Sequence, residues 1–131
     1  MGNHDFKTNI FNPLSVLNTC SSKPLDIIFV LDRSGSAKSQ NEFFKGAKTW
    51  IVAFLNEFNL DSFVQVGIIS FGTEATIDLP LKSHPINKVD KRLNQVYTKE
   101  EEESNLDDAL KLAYSQFSNS VSDKAVIVLS G

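Results

Sequence analysis

"LDIIFVLDRSGS", Leu25–Ser36, decides the fold. Its first seven residues are apolar apart from Asp26, and several are β-branched, the pattern of a central parallel strand buried on both faces. The run then breaks without a spacer into an acid, an arginine, a glycine and two serines. In an open α/β sheet, ligands bind beyond the carboxyl ends of the strands. A carboxylate and two hydroxyls at that place therefore call for a chemical reading as well as a structural one.

The flanking sequence supports such a sheet. Ser39 and Glu42 have capping-box spacing, and Phe43, Ala47, Trp50, Ile51, Phe54 and Phe58 follow at helical intervals. Gly46 interrupts that helix and is expected to allow close packing on the sheet. "FVQVGIISFG" (63–72) predicts a second strand, with Gly67 marking close approach by a neighbour. "EATIDLPL" (74–81) alternates and contains Pro80, which suits an edge strand after a short turn at Gly72–Thr73. "INKVDKRLNQV" (86–96) predicts a helix, with Ile86, Val89, Leu93 and Val96 on one side. "NLDDALKLAYSQF" predicts another, with Leu106, Ala109, Leu110, Ala113 and Phe117 inward. "KAVIVLSG" (124–131) is again a buried-type strand. The order β-α-β-β-α-α-β predicts an α/β fold, a three-layer open sheet of Rossmann-like type. Residues 1–24, polar and mixed with Pro13 and Pro24, are expected to form a loose lead-in to a single domain over 25–131.

Composition narrows the function. With 131 residues, 41% hydrophobic and 22% charged, the chain suits one globular domain. A net charge of −3 supplies no basic field for nucleic acid or an anionic membrane surface. No apolar run approaches the length of a bilayer span. The N-terminus lacks the basic start and apolar stretch of a secretory signal, and Phe6 stands where a myristoylation signal would have Ser or Thr. Cys20 is the lone cysteine, which leaves no partner for an intrachain disulfide and no Cys-based zinc site. His4 and His84 lie in polar segments and are expected to be solvated.

Four readings compete for "DRSGS". As a metal site, Asp32, Ser34 and Ser36 alternate around a turn that Gly35 makes tight, and an oxygen-only donor set selects Mg²⁺, Ca²⁺ or Mn²⁺. As a phosphate loop, it lacks both glycine-rich fingerprints. A phosphoaspartate enzyme would want a second Asp where Ser34 stands. As a hydrolase elbow it lacks G-x-S-x-G, and no histidine is placed as its base. As an ordinary Asx turn leading into a helix cap, it needs no ligand at all. These five residues alone leave turn and metal site level.

Three further stretches add to them. "LDIIFVLDRSGS" resembles the opening of a von Willebrand factor type A domain, with its D-x-S-x-S metal-ion-dependent adhesion motif. "VQVGIISFGTEATIDLPL" resembles that family's second strand and edge strand, and "SNLDDAL" (104–110) its T-x-x-x-x-A-L element. "KAVIVLS" is similar to its fourth strand. The resemblance covers Leu25 to Gly131 in the family's order. It implies that Ser34 and Ser36 coordinate a cation, that Asp32 acts through water or close to the ion, and that Ser104 stands in for the usual threonine. Ser104 and Asp107 also form an S-x-x-D helix start, so the hydroxyl has a competing role as a cap. Arg33 and the "KEEEES" loop, Glu103 included, would flank the site and tune partner choice.

Two departures qualify the resemblance. The family's fourth strand ends in T-D-G or S-D-G, whose aspartate is the second acid of the site. Here Ser130 or Gly131 takes that place, and a weaker site is expected. The family also continues through further helices and two more strands, so the expected strand order is 3-2-1-4, incomplete after the fourth strand. The implied function is divalent-cation-dependent protein binding, not catalysis. Mg²⁺, Mn²⁺ or Ca²⁺ would keep an open position for an Asp or Glu of a matrix protein. The closest likeness is to matrilin-like and collagen-like modules, where a cysteine often precedes the first strand, as Cys20 does here. That implies an extracellular origin despite the absence of a signal peptide. The alternatives are an intracellular, metal-independent scaffold, a remnant without function of its own, and a hydrolase or phosphotransferase on the same sheet.

Overall fold

The computed structural model describes residues 24–35, 37–57, 63–96, 103–118 and 121–130, with backbone alone over 37–40. Residues 1–23, including Cys20 and His4, lie outside that description. Among the described residues the order is β1 (Leu25–Asp32), α1 (Ala37–Leu55), β2 (Val64–Phe71), β3 (Ala75–Lys82), α2 (Ile86–Leu93), α3 (Leu106–Gln116) and β4 (Asp123–Leu129). The strands form one sheet in the order β3-β2-β1-β4, as expected from the sequence. β1 pairs in parallel with β2 and β4, and β2 pairs antiparallel with β3.

β1 is apolar on both faces because both faces are covered. Leu25, Ile27, Phe29 and Leu31 point to one layer, where Ala47, Ile51, Phe54 and Leu55 of α1 and Val89 and Leu93 of α2 meet them. Ile28 and Val30 point to the other, against Ala109 and Ala113 of α3. Phe29 is fully buried. Its ring meets Trp50 and Phe54 edge-on at 6.4 and 6.0 Å, and those two stack at 5.2 Å. The period-two alternation of the strand is thereby matched to helices on both sides.

Several expectations change in detail. α1 begins at Ala37, so Ser39 lies inside its first turn and does not cap it. Gly46 is exposed and a Cβ there would meet nothing within 4 Å, so it serves no close packing. Gly67 does: a Cβ would stand 3.3 Å from the Leu81 backbone of β3. Leu106 is 39% exposed and is not an inward residue of α3. His84 is buried, with Nε2 2.8 Å from the Pro80 carbonyl, so it is not a solvated side chain.

The connections set the position of the site. β1 leads through α1 to β2 on one side, while β4 returns on the other side of β1. The strand order therefore diverges at the carboxyl end of β1, the place where open α/β sheets form their crevice. Asp32 is the last residue of β1.

Candidate metal centre

Asp32 uses its two carboxylate oxygens in different directions. Oδ1 accepts from the Ser34 backbone N–H at 2.8 Å and from the Ser34 hydroxyl at 2.7 Å. This is the Asx turn, and Gly35 completes it at φ 105°, a conformation that favours glycine. Oδ2 accepts from the Ser104 hydroxyl at 3.1 Å, across 72 residues of sequence. A turn alone has no use for that second bond.

Ser104 is available because it does not cap α3. Asn105 is the cap, its side chain accepting from the Asp108 N–H at 3.1 Å. Asp107 and Asp108 in the first turn suit the positive end of the helix. The S-x-x-D reading of Ser104 and Asp107 as the helix start is thus corrected by one residue. The chain in fact reads N-x-x-D from Asn105, a signal visible in the sequence.

Of the residues singled out from the sequence, Asp32, Ser34 and Ser104 come together. Ser36 lies outside the described residues. Glu103 is exposed next to Ser104. Arg33 goes elsewhere: it is 7% exposed, and so does not flank the site as a partner-facing side chain. Its Nε donates to the Ser70 hydroxyl at 3.2 Å, and its Nη2 donates to the Glu74 carbonyl at 3.0 Å and the Thr76 hydroxyl at 3.3 Å. The reason is strand parity. Positions 25, 27, 29 and 31 face α1 and α2, and 33 continues that series.

Beside Arg33 lies Asp78. The β2–β3 register passes from Ile68↔Leu79 to Ile69↔Ile77, which leaves Asp78 as the extra residue of a bulge. Burial raises its pKa above the ordinary value of 3.8, against the lowering effects of a hydrogen bond from Ser70 and the charge of Arg33. A raised carboxylate pKa means that ionising Asp78 costs stability above that raised value and costs nothing below 3.8. Asp78→Asn should therefore melt above the native chain at pH 7. The gap should close as pH falls through the raised value towards 3.8. Paired thermal melts across that range check this; a gap independent of pH would contradict it.

The donor set is compatible with a hard cation. Three oxygen-bearing side chains from two loops converge, and none is a nitrogen or sulfur ligand. Their charge is modest. Among the described residues no group of three His, Cys, Asp or Glu side chains could hold a metal. Ser130 follows β4 without adding an acid, and Gly131 lies outside the described residues. An oxygen-only set of this kind suits Mg²⁺, Mn²⁺ or Ca²⁺, with water completing the shell.

A family model for the von Willebrand factor type A domain matches residues 26–131. The chain belongs to that family. Over 70 residues it is 31% identical to the collagen alpha-1(XXI) chains of Xenopus laevis and Homo sapiens. That match covers 53% of this chain and 7% of each collagen, so the chain spans a small part of those relatives. Proximal thread matrix protein 1 of the mussel byssus, solved with a zinc-occupied metal-ion-dependent adhesion site, superposes with a TM-score of 0.73 at 23% identity. It covers 82% of this chain and 28% of that one. BatB of Bacteroides thetaiotaomicron superposes with a TM-score of 0.61 at 22% identity, over 80% of this chain and 52% of its own. This likeness shows the von Willebrand factor A fold, which among the described residues of this chain is a mixed four-stranded open sheet flanked by helices. Among the described residues, no helix is long and apolar enough to cross a membrane.

Proposed function

We propose that this von Willebrand factor A domain is a divalent-cation-dependent protein-binding module of the extracellular matrix, and not an enzyme. The observation that carries the reading is the Asp32–Ser104 hydrogen bond, which closes the D-x-S-x-S loop onto the loop before α3 at the mouth of the sheet. Asp32, Ser34 and Ser104 would hold the cation, with Ser36 the fourth candidate from the sequence. When bound, Mg²⁺ or Mn²⁺ would offer an open coordination position to an Asp or Glu carboxylate of the partner. The chain's own residues shape that position: Asp32 supplies the charge, the two serines supply neutral oxygens, and Glu103 stands exposed at the rim. A similar site in a mussel matrix protein and sequence likeness to a collagen support a matrix partner and an extracellular location.

A metal-independent scaffold is the second reading. The observation favouring it is the single carboxylate among the converging side chains, since one charge compensates only part of a divalent ion.

A metal titration followed by melting temperature separates the two. A ligand that binds only the folded chain raises the midpoint by mass action, by about 1.4 kcal/mol at ten times its Kd. For a domain of this size that is roughly 3–6 °C. The native chain should show such a rise between EDTA and millimolar Mg²⁺. Ser104→Ala should need several-fold more metal, and Ser104→Thr should behave as the native chain does. Midpoints indifferent to metal in all three would leave the scaffold reading.

A further inference from the structure

We propose that Arg33 is a positioning residue of the metal centre, acting through the β2–β3 turn to hold the two loops of the site at a fixed separation. The inference rests on the metal reading above and names what sets the geometry of that same site.

The turn at residues 72–74 is bonded to both loops. From the D-x-S-x-S side, the Arg33 backbone N–H donates to the Phe71 carbonyl at 2.7 Å, and its guanidinium donates to the Glu74 carbonyl at 3.0 Å. From the Ser104 side, the Asn105 N–H donates to the Gly72 carbonyl at 2.8 Å, and Asp108 Oδ2 accepts from the Ala75 N–H at 3.1 Å. The turn closes on itself through the Gly72 N–H and the Glu74 carbonyl at 3.1 Å. Asp32 and Ser104 therefore meet directly and are also braced from behind, through Arg33, the turn and Asn105.

Arg33 suits this role by shape and charge. A planar guanidinium reaches several acceptors in fixed directions, and its bonds to Ser70, Thr76 and Glu74 fix it on both strands of the hairpin. Asp78, hydrogen-bonded to Ser70, lies close enough for the Arg33 charge to offset part of the effect of its burial. Its bonds to Ser70, Glu74 and Thr76 lead to the hairpin, and its effect on the site runs through the turn that Glu74 ends.

Arg33→Met keeps most of the volume and removes the bonds; Arg33→Lys keeps the charge and loses the fork. The experiment is amide hydrogen exchange on the full chain in EDTA, with the Mg²⁺ melt run alongside. In Arg33→Met, the Gly72 and Asn105 amides should exchange at least about tenfold faster, while the Ile28 and Phe29 amides of β1 keep their protection. Arg33→Lys should fall between, and the metal-induced rise in midpoint should shrink in the same order. Unchanged protection at Gly72 and Asn105 would overturn the proposal, as would an equal loss at every amide, which marks a general loss of stability. A native chain with no metal response would overturn the metal reading, while the exchange pattern would still decide whether Arg33 braces the two loops.

Discussion

Phe29→Ala is expected to cost about 3–5 kcal/mol, the usual toll for deleting a buried aromatic ring. Phe29 is fully buried at the centre of β1, with Trp50 and Phe54 edge-on to its ring. Neither neighbour can collapse into the gap easily, because each is also stacked on the other. Domains of this kind hold only about 5–15 kcal/mol in total, so the variant should be marginal. Urea unfolding should show the midpoint falling sharply with little change in slope. Ile77→Ala is the control: Ile77 is 40% exposed on β3, and its loss should cost under about 1 kcal/mol. Similar costs at the two positions would mean that β1 is not the centre of the core.

The second large effect falls on function. Asp32→Ala should abolish the response to metal, because Asp32 is the one carboxylate among the converging side chains and both of its oxygens are in use. In EDTA the same variant should melt within about 1 kcal/mol of the native chain. It loses three hydrogen bonds at a partly solvated position, but it also removes a negative charge beside Ser104, whose segment of chain carries Glu103, Asp107 and Asp108. A small change without metal and a complete loss of the metal effect together mark a binding residue. A large loss in EDTA would instead make Asp32 a structural turn residue. The comparison thus decides between the two readings that the five residues of the loop left level.

Most of the fold was legible because local pattern and burial agree. β1 was readable to its ends, Leu25–Asp32, as a run apolar on both faces, and the packed helices on each side explain that pattern. Helix ends were less readable. Ser39 looked like a cap, yet α1 starts two residues earlier, and the cap role weighed for Ser104 beside its metal role falls to Asn105. Short polar side chains near a helix start compete for the same N–H groups, and sequence spacing does not say which wins.

The site was legible in part. The strand-end position of Asp32 and the likeness of "SNLDDAL" to a loop element drew attention to Asp32 and Ser104, whose side chains meet in the structure. What lay hidden was direction. Arg33 looked like a rim residue from its position in the loop, but strand parity turns it inward, to the Ser70 hydroxyl of β2, the Glu74 carbonyl of the turn and the Thr76 hydroxyl of β3. Asp78 was hidden for a related reason: a bulge shifts the alternation of an edge strand by one residue, which no period-two reading anticipates. His84 was read as solvated from its polar neighbours, while it is buried with its ring on a carbonyl four residues earlier.

Asp32, Ser34 and Ser104 are proposed to form one cation site. Its most direct test is Mn²⁺ binding to the native chain, followed by the loss of the free-ion paramagnetic resonance signal. A single saturable site, displaced by Mg²⁺ and absent from Asp32→Ala, is expected. Mn²⁺ that stays free at millimolar concentration, or that Asp32→Ala binds as well as the native chain does, would contradict it.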